Sequence, residues 1–373
     1  MNKRLLITST DLMMVQFLVP HVIHLSKNGF DVEIACSDVG NRMDEVHEKL
    51  KDSVKVIHVV QLVRSPTSLT NIKGYSDMRK VVENGNYDII WTNEPVMGVV
   101  TRLAARGARK RGTKVLYMVH GFHFYKGAPK AYWLTFFFIE KAMAHHADVI
   151  CTVNQEDYNR AKSFNVQRVE YIHGIGINTE RLTPSVDRND IRAEIGLSPE
   201  DFIILSVGEL NRNKNQKTII RAMQRLKDPQ IHYVLCGKGD QLKALQQQTA
   251  EAGLTERVHF FGYRKDVVDI CSQADVFVMP SYREGLPVAS LEAMYCGLPV
   301  IVSNIRGLTD VVEDGKSGYL CAPDDDKAFA EAIQKLKTHP ELRRKISHFN
   351  KEKVLPYCVD NTVMEAKNIL QNL

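Results

Sequence analysis

The chain has 373 residues, 44% hydrophobic and 25% charged, an ordinary soluble composition too long for one core of typical size; two domains of roughly 150–200 residues are expected. Net charge is +5 and uneven: 23 Lys/Arg stand against 18 Asp/Glu in residues 1–180, and 26 against 26 in the rest. No nucleic-acid recognition module is visible, no apolar run approaches the roughly 20 residues of a spanning helix, and the apolar start is too short for a signal peptide. Seven scattered cysteines, odd in number and without a Cys-x-x-Cys spacing, suit a reducing cytosol.

Short β-branched runs alternate with helical patterns, the signature of parallel α/β units. Strands are expected at 3–8, 31–35, 54–59, 88–91, 114–119 and 148–152, with an amphipathic helix over 15–28 stopped by Gly29. The basic run Arg102, Arg106, Arg109, Lys110, Arg111 and Lys114 reads as a solvated helix face and turn. Its sharper reading is attraction to an anionic membrane surface or a phosphate acceptor. Residues 133–139, Trp-Leu-Thr-Phe-Phe-Phe-Ile, read as a buried helix, with a patch dipping into lipid headgroups as the alternative. Residues 179–200 form a linker with a short helix. A second strand series follows at 202–208, 231–236, 258–262, 276–279 and 299–302, and residues 356–373 are helical after a break at Pro356. The pattern implies two tandem Rossmann-like doubly wound domains, 1–182 and 183–355, with ligands bound off the carboxyl ends of the strands in a cleft between them.

The most informative loop is Tyr282-Arg283-Glu284-Gly285-Leu286-Pro287-Val288, with Glu292 eight positions after Glu284. Pro287 suits the first helical position, and the first-turn N–H groups of Val288 and Ala289 can hold an anion. Carboxylates beside an anion site make sense when they accept hydrogen bonds from hydroxyls, and phosphate plus diols describes a nucleotide sugar. After the strand 202–208 come Arg212 and Lys214, a fork and a point charge suited to a diphosphate that gains charge as a glycosidic bond breaks. Gly237-Lys238-Gly239 lacks the full dinucleotide fingerprint and reads equally well as a tight turn, as does Gly174-Ile175-Gly176. His120 and His123 follow the strand 114–119; His120 is a candidate general base or hydrogen-bond donor. His145-His146 reads as a helix end. Asp324-Asp325-Asp326 precedes a helix and reads as a cap, so no obligatory metal is expected.

Taken together, these loops resemble the family-4 glycosyltransferases of the two-domain GT-B fold, over essentially the whole chain. The resemblance is most specific at Glu284-x7-Glu292, at Cys296-Gly297-Leu298-Pro299-Val300-Ile301, and in the loop 310–320. His120-Gly121-Phe122-His123-Phe124-Tyr125-Lys126-Gly127-Ala128-Pro129 is similar to the bacterial exopolysaccharide and capsule branch. That branch implies a cytosolic enzyme at the inner membrane face, moving a sugar with retention from a nucleotide sugar, usually a UDP-sugar, to a polyprenyl-diphosphate-linked saccharide. It implies that Glu284 contacts donor sugar hydroxyls, Glu292 binds the ribose, Lys214 holds the diphosphate and backbone near Tyr263 and Arg264 meets the base. Gly285, Leu286, Pro287 and Val288 would complete the donor loop, and His120 would lie by the reacting sugar. Thr10, Asp11 and His123 would stand on the acceptor side, and the C-terminal helix would cross back to the first domain. Two departures stand out. Many relatives carry Arg where this chain has Glu209, so Arg212 is a candidate substitute, and the loop 8–14 has no glycine. The rival readings are a nucleotide-sugar isomerase such as a 2-epimerase, and a catalytically silent sugar-nucleotide-binding partner.

Overall fold

The computed structural model describes residues 2–185 and 190–373. The chain forms two compact units, Met1–Gly176 with Val359–Leu373, and Ile177–Cys358. Part of the expected linker, residues 186–189, lies outside the described residues; on either side of it are a 3₁₀ turn, Thr179–Leu182, and a short helix, Ile191–Glu194.

The first unit is built on seven parallel strands: β1 (Lys3–Thr10), β2 (Phe30–Ser37), β3 (Ile57–Val59), β4 (Ile89–Asn93), β5 (Lys114–Val119), β6 (Val149–Thr152) and β7 (Arg168–Tyr171). Their order is β3-β2-β1-β4-β5-β6-β7. Leu5, Leu6 and Ile7 are consecutive and all fully buried, as a strand covered on both faces requires. The second unit has six parallel strands: β8 (Phe202–Val207), β9 (Ile231–Cys236), β10 (Val258–Gly262), β11 (Val276–Met279), β12 (Val300–Ser303) and β13 (Gly318–Cys321), ordered β10-β9-β8-β11-β12-β13. Each sheet is therefore doubly wound as the alternating pattern implied. Each reverses direction once, between β1 and β4 in the first unit and between β8 and β11 in the second. The crevice at such a reversal, outside the strand ends, is where these sheets take ligands.

The C-terminal helix Val359–Gln371 belongs to the first unit. Glu365 accepts the His173 N–H at 3.0 Å, and Lys3 Nζ donates to the Gln371 carbonyl at 3.1 Å.

Several sequence expectations are corrected. The strand expected over 54–59 is reduced to β3, because only its last residues pair with β2. The first helix begins at Asp11, passes through a π-helical turn (Met14–Leu18) and continues as Val19–Lys27. Arg102 is not solvated. It is fully buried, donates Nη2 to Glu140 at 2.7 Å and Nε to the Gly98 carbonyl at 2.9 Å, and lies 3.9 Å from the Tyr117 ring centroid. The Tyr117 hydroxyl closes the set by donating to Glu140 at 2.8 Å. Leaving either charge alone in such a place costs about 3–5 kcal/mol, so the triad is kept whole. Arg109 is also engaged, forking onto Asp148. The expectation of a buried helix over 133–139 fails on its outer face. A π-helical turn (Trp133–Phe137) leads into Phe138–Met143 and leaves Leu134 70% and Phe138 57% exposed. The inner face, with Trp133, Phe136 and Phe137, packs on the first unit's core.

Candidate functional site

In the second unit the loops after β8 and β11 are stitched together. Tyr282 N–H donates to the Asn213 carbonyl at 2.8 Å and Asn213 Nδ2 to the Arg283 carbonyl at 3.0 Å. Asn215, in a left-handed conformation, donates to the Pro280 and Pro323 carbonyls. Across this seam Lys214 Nζ donates to Glu284 Oε1 at 2.8 Å. The residues expected to bind diphosphate and sugar thus form one partly buried ion pair, 70 positions apart in sequence. Gly307 lets the Glu284–Gly285 backbone pass close by, since a Cβ there would lie 2.5 Å from the Gly285 carbonyl oxygen. Gly237 and Gly239 have a similar steric role: Cβ atoms would meet the Gly208 and Leu210 carbonyl oxygens at 1.8 and 2.1 Å. The turn reading of that Gly-x-Gly is the physical one.

Glu292 lies on the helix Val288–Tyr295. Its carboxyl is largely enclosed and has no hydrogen-bond partner among the described residues. Burial pushes its pKa up to about 7, with the Arg181 charge acting in the other direction. Pro287 is the residue before this helix rather than its first, and the Val288 N–H donates to the Leu286 carbonyl at 3.0 Å. Of the two N–H groups expected to hold an anion, Val288's is therefore taken, because Leu286 and Val288 close a tight turn. Arg212 is exposed and has no ion-pair partner among the described residues. Glu209 faces Asn211, whose Nδ2 it accepts at 2.7 Å. Tyr263 is 67% exposed, while the Arg264 guanidinium is held by Asp266 and Glu194. The aspartate run has protein partners throughout: Tyr282 donates to Asp324, Ala328 N–H to Asp325 and Arg225 to Asp326.

In the first unit the equivalent reversal joins Thr10 at the end of β1 to Glu94 after β4. The Thr10 N–H donates to Glu94 at 2.6 Å and its hydroxyl at 3.0 Å. Glu94 has φ +65° and ψ 150°, a conformation a side chain rarely tolerates, and burial raises its pKa. Such strain persists where the surroundings enforce it, commonly at functional sites. The reading from sequence missed Glu94. The available signal was Asn93-Glu94-Pro95 at a strand end, with Pro95 opening a helix. Asp11 is spoken for: its fully buried carboxylate accepts the N–H groups of Val39, Gly40 and Arg42 at 2.9–3.1 Å.

His120 Nε2 lies 3.1 Å from Asn93 Oδ1, and Asn93 Nδ2 donates to the Thr8 carbonyl at 3.2 Å. That second bond orients the amide, so its oxygen faces the histidine and Nε2 carries the proton. Burial lowers the His120 pKa to about 4, with His21 adding to the effect. The ring is neutral at pH 7 and keeps a basic Nδ1. His123 stacks on Phe136, with centroids 4.8 Å apart. Around these residues is a cavity of about 260 Å³, whose lining includes Tyr117 and Glu140.

A model for glycosyl transferases group 1 matches residues 187–353, and one for glycosyltransferase family 4 matches residues 19–181. The chain is 36% identical to EpsD of Bacillus subtilis, over 99% of this chain and 96% of that one; that protein is named as a glycosyltransferase without a stated substrate. This chain is a family-4 glycosyltransferase. A second relative of this glycosyltransferase is the UDP-Gal:α-D-GlcNAc-diphosphoundecaprenol α-1,3-galactosyltransferase of Escherichia coli, 30% identical over 83% of this chain and 80% of that one. The fold is also that of Anabaena HepE, solved in complex with UDP and glucose (TM-score 0.81, 19% identity, 100% of both chains).

Proposed function

We propose that this glycosyltransferase moves a sugar from a UDP-sugar, with retention, to a saccharide carried on a polyprenyl diphosphate during surface polysaccharide synthesis. The carrying observation is Glu292, an enclosed carboxylate with no hydrogen-bond partner among the described residues, eight positions after the Glu284 that pairs with Lys214. An enclosed carboxylate is costly unless something donates to it, and a ribose diol supplies two donors. Lys214 and Arg212 take the diphosphate, Glu284 and the Gly285–Val288 loop the donor sugar, and the backbone at Tyr263 and Arg264 the base. The first unit takes the acceptor, with His120 beside the reacting sugar and Thr10 and His123 near it; Thr10 acts by holding Glu94. Asp11 has no part, since its carboxylate serves the 39–42 turn. The UDP donor and the diphosphate-linked acceptor are supported by the name of the Escherichia coli relative. Retention rests on the family resemblance.

The test is the pH dependence of UDP binding. Diol donors favour the ionised carboxylate, whose pKa in the free protein is about 7, above the usual carboxylate value. Affinity is then full above pH 7 and falls by up to about tenfold per unit below it, as the site must give up a proton to bind. Glu292→Gln should weaken UDP by about 10- to 100-fold at pH 8. It should also remove this pH dependence, leaving only the titration of UDP itself, which is common to both proteins. Calorimetric titration from pH 5.5 to 8.5 measures both; equal affinity in the two proteins at pH 8 would overturn the ribose assignment. Appearance of a new UDP-sugar without any acceptor would favour an isomerase instead.

Among the described residues no helix is long and apolar enough to cross a membrane. The exposed Leu134, Phe138 and Ile139, flanked by exposed Lys126, Lys130 and Lys141, suit a peripheral contact with anionic lipid. Binding to vesicles containing phosphatidylglycerol should weaken with salt and drop at least about tenfold in Leu134→Ser/Phe138→Ser; binding unaffected by salt and substitution would reject this surface.

A further inference from the structure

The cavity beside His120 is lined mainly by carbon: Met13, Pro95, Val119, Phe122 and Phe136, with Glu94 at one side. At about 260 Å³ it is smaller than the roughly 300–1,000 Å³ of sites that enclose a whole drug-sized ligand. It suits one substituted sugar ring. In the lining, Tyr117 and Glu140 bond each other, and Arg102 donates to the other Glu140 oxygen. Glu94 accepts one bond from Thr10 on each oxygen, with Arg64 Nη2 3.6 Å from Oε1, and keeps lone pairs for one further donor.

The backbone around the cavity is irregular at three places. Met13 immediately precedes one π-helical turn, Phe136 lies within the other, and Glu94 has φ +65°. π-Helical turns and enforced strain recur at ligand sites. Three independent irregularities around one small apolar cavity mark it as built rather than residual.

We propose that this cavity is the subsite for a 2-acetamido group on the acceptor sugar. The methyl packs against Phe122 and Phe136, and the amide N–H donates to Glu94. The inference rests on the lipid-linked acceptor reading above and adds the sugar that the acceptor presents. The named acceptor of the Escherichia coli relative carries the same group.

The test uses the full chain with UDP present and two soluble probes, N-acetylglucosaminyl and glucosyl farnesyl diphosphate, differing only in the acetamido group. Wild type should bind the first at least about tenfold tighter, the scale on which apolar pockets discriminate. Phe136→Ala should shrink that ratio to within about threefold by weakening only the acetamido probe. Met13→Ala, at a partly exposed position, should shrink it in the same direction and serves if Phe136→Ala fails to fold. Equal affinity of the two probes in wild type, or an unchanged ratio in folded variants, overturns the subsite. If UDP binds but neither probe does, the acceptor reading beneath it fails as well; if UDP itself does not bind, the donor reading fails.

Discussion

Glu284→Ala is expected to lower turnover by about 10²- to 10³-fold while UDP binds as tightly as before, or more tightly. The ion pair with Lys214 gives this prediction its sign. In the ligand-free protein the lysine's charge is directed at Glu284. Removing the carboxylate leaves Lys214 uncompensated beside the proposed diphosphate, and an anion gains from that. The same change removes an acceptor for the donor sugar's hydroxyls, so the loss falls on turnover. Lys214→Ala should do the reverse. It strips the diphosphate of its cation and leaves Glu284 as a like charge, so UDP affinity should fall by at least about 100-fold. In the double variant the two effects on UDP affinity should not add, because each single change alters what the other residue faces. Calorimetry for UDP and steady-state rates with a lipid-linked acceptor measure the set. A Glu284→Ala protein that loses UDP affinity as severely as Lys214→Ala would reject the division of roles.

Much of this arrangement is legible along the chain because strand ends are marked locally. An apolar run that stops at Gly208, Pro280 or His120 announces a loop at the carboxyl edge of a sheet, and the polar residues in that loop are the candidates. Pairings over long separations are not legible. Nothing near Arg102 announces Glu140, 38 residues on, and helical spacing alone makes Arg102 look solvated. Two strands were missed for different reasons. β7, Arg168-Val169-Glu170-Tyr171, is a half-buried edge with no apolar run. β13 starts at Gly318, which resembles a turn residue, yet glycine is required there because a Cβ would lie 1.8 Å from the Val300 carbonyl oxygen of β12. The π-helical turns leave a helical periodicity nearly intact, so the outward rotation of Leu134 and Phe138 has no local signature. Glu94 was missed because its importance lies in a backbone angle and in the bond to Thr10, neither of which a single carboxylate in a sequence displays.

His120→Ala should lower kcat by about 10²- to 10⁴-fold with UDP affinity unchanged, the range for loss of a positioned proton acceptor or donor. The tautomer chain makes the prediction specific. Thr8 orients Asn93, Asn93 fixes the proton on Nε2, and Nδ1 is left as the basic atom. With the ring's pKa lowered to about 4 by burial, His120 is neutral from pH 5 upward, so kcat at saturating donor should show no acid limb near the usual histidine value of about 6.5. Saturation matters, because below it the titration of Glu292 near 7 would shape kcat/KM for the donor. Asn93→Asp is the discriminating variant. A carboxylate accepting the Nε2 proton stabilises the imidazolium and raises the pKa, so an acid limb should enter the measurable range and move toward neutrality. Activity lost in the acidic range should return as pH rises, since only the neutral ring can accept a proton at Nδ1. An Asn93→Asp protein with the wild-type pH profile, or a His120→Ala protein with more than about a tenth of wild-type kcat, would reject His120 as a proton acceptor in the reaction.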